Sequence, residues 1–432
     1  MSRICLLVPT NDFDRYFVQV PLDVVYAAGQ LRAEGHEVTV WDTRFATLPP
    51  APAQDLVIVF TAIADRAQCY PLELGPVRDA VTQARTRYPG ARFVAVGPHV
   101  NHLPRATLDE VGVDAVARGE ADSAAVFAAR DVAVPGRVLP NGRAGSADLL
   151  APAADLPSYP VIPLETMAHP AFDLFPMSRY TSEVIDGGLP MPGPCGMVLA
   201  ARGCTYGCTF CHLPFGTRMR MRPTDRVLAE IDAQQSAGLD ALFFLDYVFG
   251  INPAFYGELC TRMTGRGLTW LGQTRAEVVL RSDVGAWAAA GCRGMWLGAE
   301  SPSVAGTGVH KRVSAEQIEG AVAKLRDAGI VPFAFLLMGL PDDEASISGR
   351  IVDWAGQLPA WFGLNQLFLR PGTTLYDQLA AEYGGGRLPA TWPEVEAVTR
   401  TYRSRYPADL DAQEQALRAL PNFLGNALTA AK

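Results

Sequence analysis

Two series of alternating strand and helix signals, separated by a proline-rich segment, constrain this 432-residue chain more than any other feature. In the first series, apolar runs typical of buried strands alternate with stretches that carry a helical apolar pattern. Such alternation predicts parallel strands, because parallel neighbours need a long crossover between them. We therefore expect an α/β protein whose N-terminal part is a doubly wound, Rossmann-like parallel sheet. The predicted strands are Ile4–Val8, Glu37–Trp41, Leu56–Phe60, Phe93–Val96 and Asp114–Ala117.

The second series begins after a segment rich in Pro, Gly, Ala and Ser. Because proline lacks an amide donor, we expect an ordered linker there, without regular strand ladders. Six further strand signals alternate with helices, which predicts a partial (β/α)6 barrel open on one side and then a short helical C-terminal extension. The expected boundaries are 1–140 for the sheet domain, 141–194 for the linker, 195–385 for the partial barrel and 386–432 for the extension. The predicted barrel strands are Met197–Ala201, Ala241–Leu245, Leu268–Gly272, Gly294–Leu297, Val331–Met338 and Leu364–Leu369.

Charge and hydropathy exclude several classes of function. The chain has 37 Lys and Arg against 45 Asp and Glu, a formal net charge of −8, and no basic stripe. This balance argues against a nucleic-acid partner. No uninterrupted apolar stretch reaches the ~18 residues that span a bilayer, and the N-terminus has no signal-peptide pattern. We therefore expect no membrane partner and a cytoplasmic location.

Three of the eight cysteines, Cys204, Cys208 and Cys211, fall within eight residues directly after the first predicted barrel strand. Thiolates at C-x3-C-x2-C can bind one compact inorganic centre from a single loop, either zinc or an iron–sulfur cluster. A [4Fe–4S] cluster takes four ligands, so three cysteines leave one iron open to a small molecule with an amine and a carboxylate. Zinc requires a fourth protein ligand. The nearest candidates are His212, which adjoins the motif, and Cys195.

This motif, with Phe210 just before its third cysteine, resembles the signature of the radical S-adenosylmethionine (SAM) enzymes. Further similarities follow at predicted strand ends, over about residues 197 to 379. The segment Phe243–Phe249 is similar to the family's motif near the methionine amino group, but Tyr247 replaces the common second Asp and only Asp246 is carried over. The resemblance implies a [4Fe–4S] cluster on the three cysteines. The residues that it implies for SAM are Phe210, Asp246, Arg275, Glu300 and Ser301.

The SAM residues also have structural interpretations. Asp246 and Glu300 follow strands, where acidic residues often serve as helix N-caps. Arg275 is expected to pair with Glu277 or Glu300 if its role is structural.

The N-terminal domain resembles a cobalamin-binding domain over roughly residues 2 to 134. Glycines after its fourth and fifth predicted strands allow the nucleotide tail of a corrinoid to approach the sheet edge closely. The chain has no D-x-H-x-x-G motif to place a histidine under cobalt. We therefore expect the loop 61–66 to contact the lower face of the corrin ring instead. Thr61 and His99 can equally be ordinary loop residues, and a domain that only docks on the barrel is the alternative. The residues implied for cobalamin are Thr61, Ala62, Arg66, Gly97, His99, Gly119 and Glu120.

Together, the two resemblances imply a cobalamin-dependent radical SAM methyltransferase that acts on an unactivated carbon of a small-molecule, secondary-metabolite substrate. They imply reductive cleavage of SAM, hydrogen abstraction from the substrate and methyl transfer from methylcobalamin, with cofactors [4Fe–4S], SAM and cobalamin. The expected partners are the substrate and an external electron donor of the flavodoxin or ferredoxin type. Four alternatives stay open: a radical rearrangement such as a ring contraction, methylation without an adenosyl radical, a cobalamin-free radical SAM enzyme and a zinc-stabilised binding protein. The sequence assigns no catalytic residue.

Overall fold

The computed structural model describes residues 1–10, 17–45, 52–64, 69–131, 137–139, 158–303 and 308–430. Sixteen strands are found in this part of the chain: β1 Arg3–Val8, β2 Glu37–Asp42, β3 Leu56–Phe60, β4 Arg92–Val96, β5 Ala115–Ala117, β6 Arg137–Leu139, β7 Thr181–Asp186, β8 Leu189–Pro194, β9 Gly196–Val198, β10 Ala201–Arg202, β11 Arg220–Met221, β12 Ala241–Phe244, β13 Thr269–Thr274, β14 Cys292–Glu300, β15 Val331–Met338 and β16 Trp361–Gln366. The α-helices there are α1 Leu22–Ala33, α2 Gly75–Arg87, α3 Pro98–His102, α4 Pro104–Val111, α5 Ala121–Asp131, α6 Thr224–Ser236, α7 Pro253–Met263, α8 Ala276–Arg281, α9 Val284–Ala289, α10 Ala315–Asp327, α11 Ile347–Gln357, α12 Thr374–Tyr383, α13 Trp392–Ser404, α14 Leu410–Arg418 and α15 Leu424–Ala430.

The first sheet has the order β2-β1-β3-β4-β5-β6, and every neighbouring pair is parallel. The predicted doubly wound α/β sheet is therefore confirmed, and its five predicted strands match β1 to β5. Strand β6 was not predicted. Each residue of β3, a Leu-Val-Ile-Val-Phe run, is buried, as expected for a parallel strand covered on both faces. The carboxyl ends of β3, β4 and β5 meet at one edge of the sheet.

The second sheet has the order β16-β15-β14-β13-β12-β9, again all parallel. The strands follow one another in chain order, and β9 and β16 lie at the two edges. This arrangement confirms the predicted partial barrel. Helices α6 to α11 cover the outside. Local signals fix their starts: Asn252 caps α7 ahead of a proline, and a capping box of Ser314 and Gln317 begins α10.

The prediction that no regular ladder forms in the linker was wrong for its last part. Strands β7 and β8 pair antiparallel as a hairpin, with Glu183 opposite Pro192 and Ile185 opposite Pro190. The prolines of β8 occupy every second position, so their missing amide hydrogens all lie on the strand edge that faces away from β7. Residues 140–157, with the predicted boundary at 140, lie outside the described residues.

One apolar core continues from the first sheet and α1, through residues 159–180, to the inward-facing side chains of β9, β12 and β13. The opposite face of the first sheet shares a second core with α12 and α13. There, Trp392 Nε1 donates to Thr107 Oγ1 at 2.9 Å. Helix α13 of the predicted C-terminal extension therefore packs against the first sheet, and Leu424 of α15 lies in the core that continues into the barrel. No helix in the described ranges is long and apolar enough to cross a bilayer.

Candidate functional site

The three clustered cysteines lie in a loop between two paired strands. Strands β10 and β11 are antiparallel, and residues 203–219 form the cysteine loop between them. Gly203 opens the loop with a φ of +92°, and a Cβ there would lie 2.2 Å from the backbone oxygen of Arg218. The amide of Cys204 donates to the Gly216 carbonyl at 3.2 Å. The cysteine loop therefore folds back tightly on itself at the first cysteine.

Positive charge surrounds the thiols. Cys204 is buried, whereas Cys208 and Cys211 are partly exposed. A hydrogen bond from Cys211 lowers the pKa of Cys208 to about 6. Burial alone would raise this pKa, but the positive charges of Lys311 and Arg275 also lower it. Arg275 Nη1 lies 3.3 Å from the Cys208 sulfur. This environment favours the thiolate form of Cys208, which metal ligation requires, whereas burial raises the pKa of Cys204 and the hydrogen bond to Cys208 raises that of Cys211.

Neither candidate for a fourth zinc ligand joins the three cysteines. His212 is buried and its Nε2 lies 2.8 Å from Nε2 of His102, at the end of α3 in the first domain. Cys195 is buried in the core and donates to the Gly196 carbonyl. In the described part of the chain, no three His, Cys, Asp or Glu side chains are gathered around a point that could hold a single metal ion. Three thiols from one loop fit a [4Fe–4S] cluster with one open iron.

Two acidic residues predicted for SAM lie at the carboxyl ends of barrel strands β12 and β14, which flank β13. Glu300 ends β14 with a φ of +53° and forms a buried ion pair of 2.6 Å with Lys311. Asp246, two residues after the end of β12, accepts a hydrogen bond from the Ala201 amide, and burial raises its pKa to about 7. Neither acts as a helix N-cap, since Asn252 and Ser314 cap the helices that follow. The N-cap alternative therefore does not describe them.

The other residues predicted for SAM make protein contacts. Arg275 Nη2 pairs with Glu277 at 2.7 Å, which is one of its two expected structural partners. Ser301 is buried, with its hydroxyl 2.9 Å from that of Ser303. Phe210 packs against the core shared by the first sheet and the C-terminal helices. Their roles toward SAM stay predictions.

Three residues predicted for cobalamin line one crevice at the carboxyl edge of the first sheet, where α/β proteins of this kind bind ligands. Its walls combine small residues after β3, β4 and β5 with two residues of the cysteine loop. The lining residues include Ala62, Ala64, Gly97, Gly119, Pro214 and Phe215.

Backbone conformation and an unpaired hydroxyl make this crevice the candidate cofactor site of the first sheet. Gly97 and Gly119 both have positive φ, +117° and +138°. The hydroxyl of Thr61, which lies beside Gly97, is buried without a hydrogen-bond partner among the described residues. Missing side chains would let the nucleotide tail of a corrinoid approach the backbone here, and the Thr61 hydroxyl would offer it a hydrogen bond.

The structure places His99 away from the crevice. The His99 ring is fully buried, with Nε2 2.7 Å from the Pro71 carbonyl and the rings of Tyr70 and Trp392 packed against it. Burial lowers its pKa to about 3, so the ring is neutral. These contacts match the alternative of an ordinary structural residue. Arg66 lies outside the described residues.

Glu120 lies in a buried ion network that the sequence did not predict. Arg202 donates to Glu120 at 2.8 Å and to Asp122 at 2.5 Å, and Arg220 also pairs with Glu120. We call these four residues the Arg202 network. Its partners are 80 to 100 residues apart, so no local sequence signal reports it.

The sequence and the fold are similar to those of known proteins. Residues 198–348 match the model of the radical SAM superfamily. The chain is 26% identical over 405 residues to an uncharacterized methyltransferase of Pyrococcus horikoshii, covering 88% of this chain and 83% of that protein. It is 25% identical to the hopanoid C-3 methylase of Methylococcus capsulatus, covering 86% and 71%. Among solved structures, it resembles the radical SAM methyltransferase TsrM of Kitasatospora setae with cobalamin and a [4Fe–4S] cluster bound. The TM-score is 0.67 at 20% identity, covering 97% of this chain and 91% of TsrM, which supports the fold.

Proposed function

We propose that this radical SAM enzyme, which resembles the cobalamin-dependent radical SAM methyltransferases, transfers a methyl group to an unactivated carbon of a small molecule. One observation carries the proposal: the crevice of the first sheet shares a wall with the cysteine loop. Pro214 and Phe215 line the crevice and lie three and four residues after Cys211. A corrinoid in the crevice and a cluster on the loop would therefore be neighbours.

Each part of the site has a proposed task. Cys204, Cys208 and Cys211 hold the cluster, and Arg275 and Lys311 supply positive charge beside it. Asp246, Glu300 and Ser301, with Phe210, line the proposed SAM site at the strand ends, where barrels of this kind place their chemistry. Thr61, Ala62, Gly97 and Gly119 receive the nucleotide tail. When bound, the cluster supplies an electron for SAM cleavage and the corrinoid supplies the methyl group.

A small substrate agrees with the relatives and with the fold. The hopanoid methylase and a second relative, the bacteriochlorophyllide d C-12(1)-methyltransferase of Chlorobaculum tepidum, are named for small-molecule substrates. Helices α12 and α13 are packed into the core shared with the first sheet. We propose a secondary metabolite or its precursor as the substrate, and a flavodoxin- or ferredoxin-type protein as the electron donor.

The test is anaerobic incubation of enzyme reconstituted with iron, sulfide and cobalamin with SAM and candidate metabolites. We expect S-adenosylhomocysteine, 5′-deoxyadenosine and a substrate mass gain of one methylene. Cys208→Ala removes a proposed cluster ligand and should abolish turnover. Cys260→Ala, at a buried cysteine on α7 outside the loop, should retain it. Turnover that persists in Cys208→Ala, or methylation that needs no cobalamin, would contradict the proposal.

A further inference from the structure

Arg202 joins the cysteine loop to the edge of the crevice. It directly precedes Gly203, and its side chain is 1% exposed. Both of its carboxylate partners come from the first domain: Glu120 follows the crevice residue Gly119, and Asp122 lies in the first turn of α5. The buried guanidinium of Arg202, at the start of the cysteine loop, therefore forms ion pairs with two carboxylates that follow the crevice residue Gly119.

Arg220 closes the network from the other end of the loop. It is the strand partner of Arg202 across β10 and β11, and it pairs with the same carboxylate, Glu120. It also donates to the Phe215 carbonyl at 3.2 Å, while the guanidinium of Arg202 lies 4.9 Å from the centre of the Phe215 ring. The network therefore holds both ends of the cysteine loop and the loop residue that lines the crevice.

We propose that the Arg202 network positions the cysteine loop against the crevice and so sets the spacing between cluster and cobalt. The inference rests on the proposed function, because it needs both cofactors. Two arginines and two carboxylates balance in charge, and removing one member of a buried pair leaves an uncompensated charge, so the geometry should be sensitive to single substitutions. Glu120 acts in this scheme as a positioning residue and does not contact the corrinoid.

The test compares Glu120→Gln and Asp122→Asn with Glu230→Gln. Glu230 is a matched control, because it is fully buried, pairs with Arg222 at 2.5 Å and accepts from Tyr26 of the first domain. Neither interaction involves the cysteine loop or Gly119, and the link to the network is indirect, since the Tyr26 ring lies 5.5 Å from the Arg202 guanidinium. Cobalamin affinity is measured by absorbance titration, and the spin coupling between Co(II) and the reduced cluster by EPR.

We expect both network variants to retain iron, to bind cobalamin about tenfold more weakly and to show altered spin coupling. Glu230→Gln should stay within about twofold of wild type in affinity. If Glu120→Gln does not fold, Arg220→Gln replaces it with the same expectation, since Arg220 is partly exposed.

Three results would overturn the inference. Network variants with wild-type affinity and coupling would refute a positioning role while leaving methyl transfer intact. Weaker binding in Glu120→Gln alone, with Asp122→Asn unaffected, would make Glu120 a direct ligand contact. A wild-type protein that takes up iron but no cobalamin would remove the proposed function as well.

Discussion

Replacing Gly203 by alanine should damage the cysteine loop without removing any cofactor ligand. A Cβ at this position would lie 2.2 Å from the backbone oxygen of Arg218 and 2.8 Å from its carbonyl carbon. Cβ atoms in real proteins essentially never approach another heavy atom closer than 3.0 Å. The backbone next to Cys204 must therefore move by about 0.8 Å. A left-handed conformation costs an alanine roughly 1–2 kcal/mol in addition. Together these effects predict a loss of about 2–4 kcal/mol in the free energy of unfolding.

Gly207, in the same loop, provides the matched control. A Cβ there meets nothing within 4 Å, and Gly207 does not have a positive φ. We expect Gly207→Ala to hold iron and sulfide like wild type after reconstitution, and Gly203→Ala to hold clearly less and to melt several degrees lower. Iron analysis and thermal melting under nitrogen measure both. Equal iron content and equal Tm in the two variants would refute the argument that loop geometry decides cluster retention.

Three further substitutions test the strand-end residues. Lys311→Met leaves the buried Glu300 carboxylate unpaired and should cost about 3–5 kcal/mol in a denaturant titration; an unchanged midpoint would contradict this. Burial raises the pKa of Asp246 to about 7, so the folded state binds its proton more tightly and loses stability as pH rises from about 4 to 7. Asp246→Asn should flatten that decline in Tm, and an identical pH slope would argue against it. Arg275→Lys keeps the charge but loses the planar fork that reaches Cys208, so alkylation of that thiol in metal-free protein should shift to higher pH. An unshifted alkylation profile would refute that contact.

The repeating elements of the fold were predictable because their signals are local. Strand β3 is a short run of apolar residues, and α10 begins with a capping box that can be recognised in four residues. The cysteine loop is equally local, since its three thiols lie within eight residues. In contrast, the hairpin of β7 and β8 was not predicted, because a high proline content does not reveal that all the prolines of β8 occupy the strand edge that faces away from β7.

The contacts that join the two sheets had no such signal. Arg202 and Asp122 are 80 residues apart, and His102 and His212 are 110 apart. Neither pair follows a spacing that periodicity can detect, because tertiary folding alone brings the partners together. The resemblance to a cobalamin-binding domain implied Glu120 as a cobalamin residue, whereas its observed ion-pair partners are two distant arginines.

The central claim is that one chain holds an iron–sulfur cluster and a corrinoid side by side. The deciding measurement is metal analysis combined with EPR of anaerobically reconstituted wild type. We expect about four iron and one cobalt per chain, with the Co(II) signal broadened when the cluster is reduced. One zinc per chain without iron, or iron and cobalt with no magnetic interaction, would contradict it.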